Sequence, residues 1–93
     1  MSTRFELGEL KYSWRLKEFV DESEFKQMLK RHSSGDWGNV TDEVKERNKS
    51  ELSKPNGRLV SNYTDSRGTI VGIFSRLRVP DTSILVCCPD YSR

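Results

Sequence analysis

The sequence predicts an α+β domain, with two or three helices packed on one face of a three- or four-stranded antiparallel sheet. Three observations carry this expectation. Apolar residues recur at helical spacing in the first half of the chain. Past residue 57 they alternate at strand spacing. Helices come first and strands follow in a run, which is the order of an α+β fold rather than of alternating βαβ units. The 93 residues make one domain over 1–93, with a mainly helical half at 1–54 and an antiparallel meander at 57–91.

The elements follow in order. Phe5-Glu-Leu-Gly-Glu-Leu-Lys-Tyr12 alternates and breaks at Gly8, as a short strand or an extended arm would. Residues 13–20 have no decisive pattern. Asp21 or Ser23 can cap a helix, with Glu22 and Glu24 at the positive end of its dipole. Phe25, Met28, Leu29 and His32 then fall at i, i+3, i+4 and i+7, one helical face, and Ser33-Ser34-Gly35 ends it. Thr41 caps a second helix that carries Asp42 and Glu43 in its first turn. Val40, Val44, Asn48 and Leu52 recur every four residues along it, so Asn48 sits in an apolar stripe. Lys54-Pro-Asn-Gly57 stops that helix. Arg58–Thr64, the turn Asp65-Ser-Arg-Gly68 and Thr69–Phe74 read as a hairpin. Arg78-Val-Pro-Asp81 connects to a third strand, Thr82–Cys88, closed by Pro89.

Composition narrows the function classes. Charged residues are 32% of the chain and hydrophobic residues 33%, with a mean hydropathy of -0.75. That is polar for a globular domain, yet every large apolar type is present, so a small core forms. Residues 1–54 carry eleven basic and eleven acidic side chains; residues 55–93 carry five Arg and three Asp, for a net charge of +2. This falls far short of the basic footprint of a dedicated nucleic-acid binder. Cys87 and Cys88 are neighbours and would point to opposite faces of a strand, which suits reduced thiols in a cytoplasmic protein better than a disulfide. The sequence has no apolar run long enough for a signal peptide or membrane span, no metal-ligand spacing and no cofactor motif.

His32-Ser-Ser-Gly-Asp-Trp-Gly38 is the segment richest in chemistry. Two glycines bracket an acid and a large aromatic just where a helix stops, so the loop is tight and shaped. His32, the only histidine, can serve as an acid or base, or as a helix-end residue holding the loop. Asp36 can turn back to His32 or accept local backbone N–H groups. Trp37 can stack a ligand or plug the core. Asn48, an amide in an apolar stripe, needs buried partners, and the 35–38 loop is the expected one. Arg76 and Arg78 share a side if that stretch is extended. With Arg58, Tyr63 and Tyr91 they would form a basic, aromatic face.

Phe5-x-Leu-Gly8, Arg31-His32-x-x-Gly-Asp-Trp-Gly38, Asn48, Gly57-Arg58-Leu59, Ser61-x-Tyr63 and Pro89-Asp90-Tyr91 occur in one order. Together they resemble a family of small bacterial proteins carried on plasmids, phages and other mobile elements. Such proteins are labelled plasmid-related protein or type I restriction enzyme subunit M. The resemblance spans nearly the whole chain, and His-x-x-Gly-Asp-Trp-Gly is its most specific part. The family pattern has a Thr-Glu pair after the second long strand and then an Asp-Arg turn. Here that region reads Phe74-Ser-Arg-Leu-Arg78, so only Arg78 carries over. The methyltransferase label does not transfer, since 93 residues cannot build a methyl-donor site on a large α/β sheet.

The resemblance implies a small non-enzymatic interaction protein of a mobile element. It would inhibit a host defence complex, of anti-CRISPR or antirestriction type, by covering a surface of it. Asp36, Trp37, Arg58, Arg76 and Arg78 are the expected contact residues. His32, Gly35, Gly38, Asn48 and Tyr63 are expected to support the loop. A small enzyme or ligand-binding domain using His32, Asp36 and Arg58 around a cleft is the alternative, and nucleic-acid binding by the Arg face is the second.

Overall fold

A computed structural model describes residues 5–78 and 80–87 of the chain. The expectations placed on Cys88, Pro89 and Tyr91 lie outside the described residues. The order of elements is β1 (Glu9–Tyr12), α1 (Leu16–Phe19), α2 (Glu22–Ser33), α3 (Asp42–Glu51), β2 (Arg58–Thr64), β3 (Ile70–Arg76) and β4 (Thr82–Cys87). The α+β class and both long helices match the sequence reading. No helix among the described residues is long and apolar enough to cross a membrane.

The sheet order is β1-β4-β3-β2. β2, β3 and β4 form the expected antiparallel meander, but β1 joins β4 in parallel, so the sheet is mixed rather than antiparallel. It also draws a strand from the half read as mainly helical. β1 lies within the 5–12 stretch read as a short strand or extended arm; its four residues are all exposed, so no buried face in the sequence specifies which strand it pairs with. Gly8 permits the pairing. Its φ is +69°, and a Cβ there would sit 2.0 Å from the Asp81 carbonyl oxygen.

The registers define two sheet faces. The inner face carries the rows Leu59–Ser75–Ser83–Leu10, Ser61–Ile73–Leu85–Tyr12 and Tyr63–Val71–Cys87. The outer face carries Arg58–Arg76–Thr82–Glu9, Val60–Phe74–Ile84–Lys11 and Asn62–Gly72–Val86. Leu16 opens α1 and Val20 follows it, and Phe25, Met28 and Leu29 are the apolar stripe of α2. They bury against Tyr63, Val71, Ile73, Leu85 and Cys87 of the inner face. A second cluster gathers Phe5, Trp37, Leu59 and Leu77, with Leu7, Val40 and Leu52 around it.

The helix ends are tied down by side chains. Asp21 is the N-cap of α2 by position, but its carboxylate receives Arg67 at 3.0 Å instead of capping the helix. Glu24 accepts both the N–H and the hydroxyl of Ser66 at 2.8 Å, locking α2 to the β2–β3 turn. In α3 the Thr41 hydroxyl accepts the Val44 N–H at 3.2 Å, the cap its sequence predicts. Within α3 only Asn48 is buried, so this helix rests on the edge of the sheet rather than filling the core.

Candidate functional site

The loop after α2 is built as a clasp. Arg31 holds Asp36 through two bonds, Nε to Oδ2 at 2.8 Å and Nη2 to Oδ1 at 3.2 Å. The same guanidinium lies 4.7 Å over the ring of Tyr63. Asp36 Oδ1 also accepts the Gly38 N–H at 3.2 Å, and its backbone oxygen accepts the Tyr63 hydroxyl. Arg31 therefore keeps the Asp36 carboxyl below the usual carboxylate range, while burial pushes the Tyr63 phenol up to about 12. Gly35, at the start of the loop, donates its N–H to the His32 carbonyl.

The loop then grips β2. Asn62 donates its N–H to the Trp37 carbonyl at 3.1 Å and accepts the Asn39 N–H at 2.7 Å. Gly38 bridges Asn62 at φ +75°, and a Cβ there would stand 2.1 Å from the Asn62 oxygen. Trp37 is only 6% exposed. Its ring stacks against Phe5 and meets the edge of His32, so it plugs the second core cluster. This corrects the expectation of a contact tryptophan: of the pair at 36 and 37, only Asp36 reaches the surface, and Arg31 and Gly38 hold its carboxylate.

Asn48 has a different partner from the expected one. Its side-chain amide donates to the Val60 carbonyl at 2.8 Å and accepts the Val60 N–H at 3.2 Å. The amide imitates a neighbouring strand's peptide group. It ties α3 to β2, not to the 35–38 loop, because the apolar stripe of α3 faces the strand edge. Glu51 completes the cover by accepting the Arg58 N–H at 2.9 Å.

His32 is fully buried between the rings of Phe5 and Trp37. Nδ1 contacts the Ser61 hydroxyl, Nε2 lies 2.8 Å from Ser75 Oγ, and Ser75 Oγ lies 2.7 Å from Ser83 Oγ. Ser83 donates to the Leu7 carbonyl at 2.8 Å. That last acceptor sets the direction of the whole chain, since a carbonyl cannot donate. Ser83 spends its proton on Leu7, so Ser75 donates to Ser83 and His32 Nε2–H donates to Ser75; in the neutral ring that leaves Nδ1 as the acceptor of the Ser61 hydroxyl. The imidazole is neutral, and burial drives its pKa down to about 3. Residues 61, 75 and 83 were not foreseen in this role. The available signal was serine at inward positions of three apolar strands, facing a lone histidine on an apolar helix stripe.

The alternative catalytic constellation does not assemble. His32 is sealed under the inner face, Asp36 is bound to Arg31 outside it, and Arg58 projects from the outer face. The basic, aromatic face is likewise divided. Tyr63 is buried on the inner side. Arg78 leaves the strand in a left-handed conformation, φ 63°, and donates to the Leu52 and Lys54 carbonyls at the end of α3. Arg76 and Arg78 thus do not share a side. Arg58 and Arg76 do come together, directly opposite across β2 and β3. Among the described residues neither guanidinium has a hydrogen-bond or ion-pair partner. They rim a depression of about 370 Å³ lined by Val60, Phe74, Thr82 and Ile84. No group of three His, Cys, Asp or Glu among the described residues could hold a metal ion.

Comparison with protein-family models, with curated protein sequences and with solved structures gives no match to this chain.

Proposed function

We propose that the chain is a non-catalytic interaction protein that acts by covering a surface of a protein partner, using the outer face of its sheet. The adjacent, uncommitted Arg58 and Arg76 beside the Val60–Phe74–Ile84 row carry this reading. Two like charges face to face on a sheet cost stability, and nothing in the described structure offsets that cost. An acidic group on a partner would. Arg and aromatic side chains beside apolar surface are also the usual composition of binding hot spots. The partner would present a carboxylate next to an apolar projection.

The resemblance to mobile-element proteins gives the partner class: a host defence complex, such as a CRISPR effector or a restriction enzyme. The burial of His32 and Trp37 supports binding over catalysis, because it leaves the lone imidazole no route to a substrate. The test is co-purification of the tagged chain from hosts carrying candidate defence systems, alongside a phage or plasmid challenge. We expect a stable complex and reduced defence, both lost in the Arg58→Glu/Arg76→Glu double variant. Full defence activity with no complex recovered would refute the reading. Binding to nucleic acid that weakens steeply with salt would assign the arginine pair to phosphate instead.

A further inference from the structure

We propose that the open edge of β1 pairs with the same edge of a second copy, joining two four-stranded sheets into one of eight strands. The inference starts from the backbone. Among the described residues β1 ends the sheet and has β4 on one side only. Glu9 donates its N–H to the Asp81 carbonyl at 3.1 Å, and Ser13 donates to the Leu85 carbonyl at 2.8 Å. In a parallel ladder alternate residues bond inward, so 9, 11 and 13 serve β4. The N–H and C=O groups of Leu10 and Tyr12 therefore point out of the sheet, and among the described residues nothing bonds to them. Beside this edge stand Leu10 and Tyr12, each 37% exposed, and Trp14, 75% exposed. An unpaired edge flanked by apolar side chains is a template for another strand.

Charge selects the occupant. Antiparallel pairing exchanges both bonds between residues whose groups face outward, so Leu10 can sit opposite Leu10 of the second copy. Glu9 then faces Lys11 of that copy, and Lys11 faces its Glu9. Both pairs occupy the sites between the hydrogen-bonded positions, where opposing side chains lie closest. Centring the pairing on Glu9 or on Lys11 would set like charges face to face. Centring it on Tyr12 leaves both charges without an opposite within the strand. Glu-Leu-Lys is thus complementary to itself in one antiparallel register, which is what a two-fold interface requires. Glu9 and Lys11 lie on the outer face, so the Val60–Phe74–Ile84–Lys11 row would continue across the axis into the second copy.

Sedimentation of the full chain over a wide concentration range tests this, with circular dichroism to verify that each variant is folded. The expected result is a species of twice 10.8 kDa that grows with concentration. Lys11→Glu should weaken self-association by about tenfold or more, because it opposes acids at both pairs. The exchange Glu9→Lys with Lys11→Glu should restore it, since the opposite charges meet again. A wild-type chain that stays monomeric throughout overturns the proposal. So does a dimer indifferent to Lys11→Glu, or one that the charge exchange fails to recover.

Discussion

The two edges of the sheet are finished in opposite ways. At β2 the outward N–H of Arg58 and both backbone groups of Val60 and Asn62 meet groups of their own chain. Glu51 takes the N–H of Arg58, the Asn48 amide takes both groups of Val60, and the 37–39 loop takes both groups of Asn62. At β1 the corresponding groups of Leu10 and Tyr12 meet nothing among the described residues. The same backbone chemistry is thus satisfied within the chain at one end and, among the described residues, left open at the other. The motif that looked most like a reaction centre, His32 to Gly38, belongs to the closed end. Its Asp and Gly shape the clasp, its Trp plugs the core beneath, and its His anchors the helix from which the loop departs. This division explains why a polar chain spends a buried Asn, a buried His and three buried Ser on one region: each supplies a hydrogen bond that apolar packing cannot.

The largest expected effect comes from opening the closed edge. Asn48→Leu keeps the volume but leaves the N–H and C=O of Val60 without their partner. Two such groups should cost about 3 kcal/mol of folding stability, read by urea denaturation. The equivalent change on the open edge, Leu10→Ala, removes no intrachain hydrogen bond and should cost well under half of that. Equal losses at the two sites would erase the distinction.

Acid should act next, through the region under the clasp. Above pH 6.5 the imidazole is neutral in both folded and unfolded chains, and stability is fully present. Below it the unfolded chain takes up a proton that buried His32 refuses until about pH 3, so stability falls as pH falls across that window. The loss should reach about 1.5 kcal/mol between pH 6.5 and 5. In that interval His32→Phe should abolish the slope, even though the variant is less stable overall. A slope that survives the substitution would place the titrating group elsewhere. The smallest effect belongs to the surface of the clasp. Asp36→Asn breaks an ion pair in which both partners are about half exposed, and should cost less than about 1 kcal/mol. A larger loss would mean that the carboxylate, rather than the backbone of the loop, holds the clasp shut.

How much of this was legible in the sequence follows from periodicity. Helix α2 was readable because Phe25, Met28, Leu29 and His32 mark one buried face. The β2–β4 meander was readable because Leu59, Ser61 and Tyr63 alternate with Arg58, Val60 and Asn62. Asn48 was readable as a buried amide, but its partner was not: a period of four gives the face of a helix, not what lies against it. β1 was readable only as a short strand or an extended arm, because neither of its faces is buried, and its parallel pairing was hidden, because it depends on Asp81 and Gly8 meeting across the length of the chain. The serine chain was hidden because each serine, taken alone, is an ordinary strand residue. Only the register brings Ser75 opposite Ser83, with Ser61 one row away.

Amide hydrogen exchange at four residues, Leu10, Tyr12, Val60 and Asn62, measured at low and high protein concentration, tests the contrast between the edges most directly. The Val60 and Asn62 amides should be protected at both concentrations, since their partners lie within the chain. Those of Leu10 and Tyr12 should exchange rapidly when dilute and slow down only as the protein is concentrated. Protection of Leu10 and Tyr12 in dilute solution, or rapid exchange at Val60 and Asn62, would contradict the account.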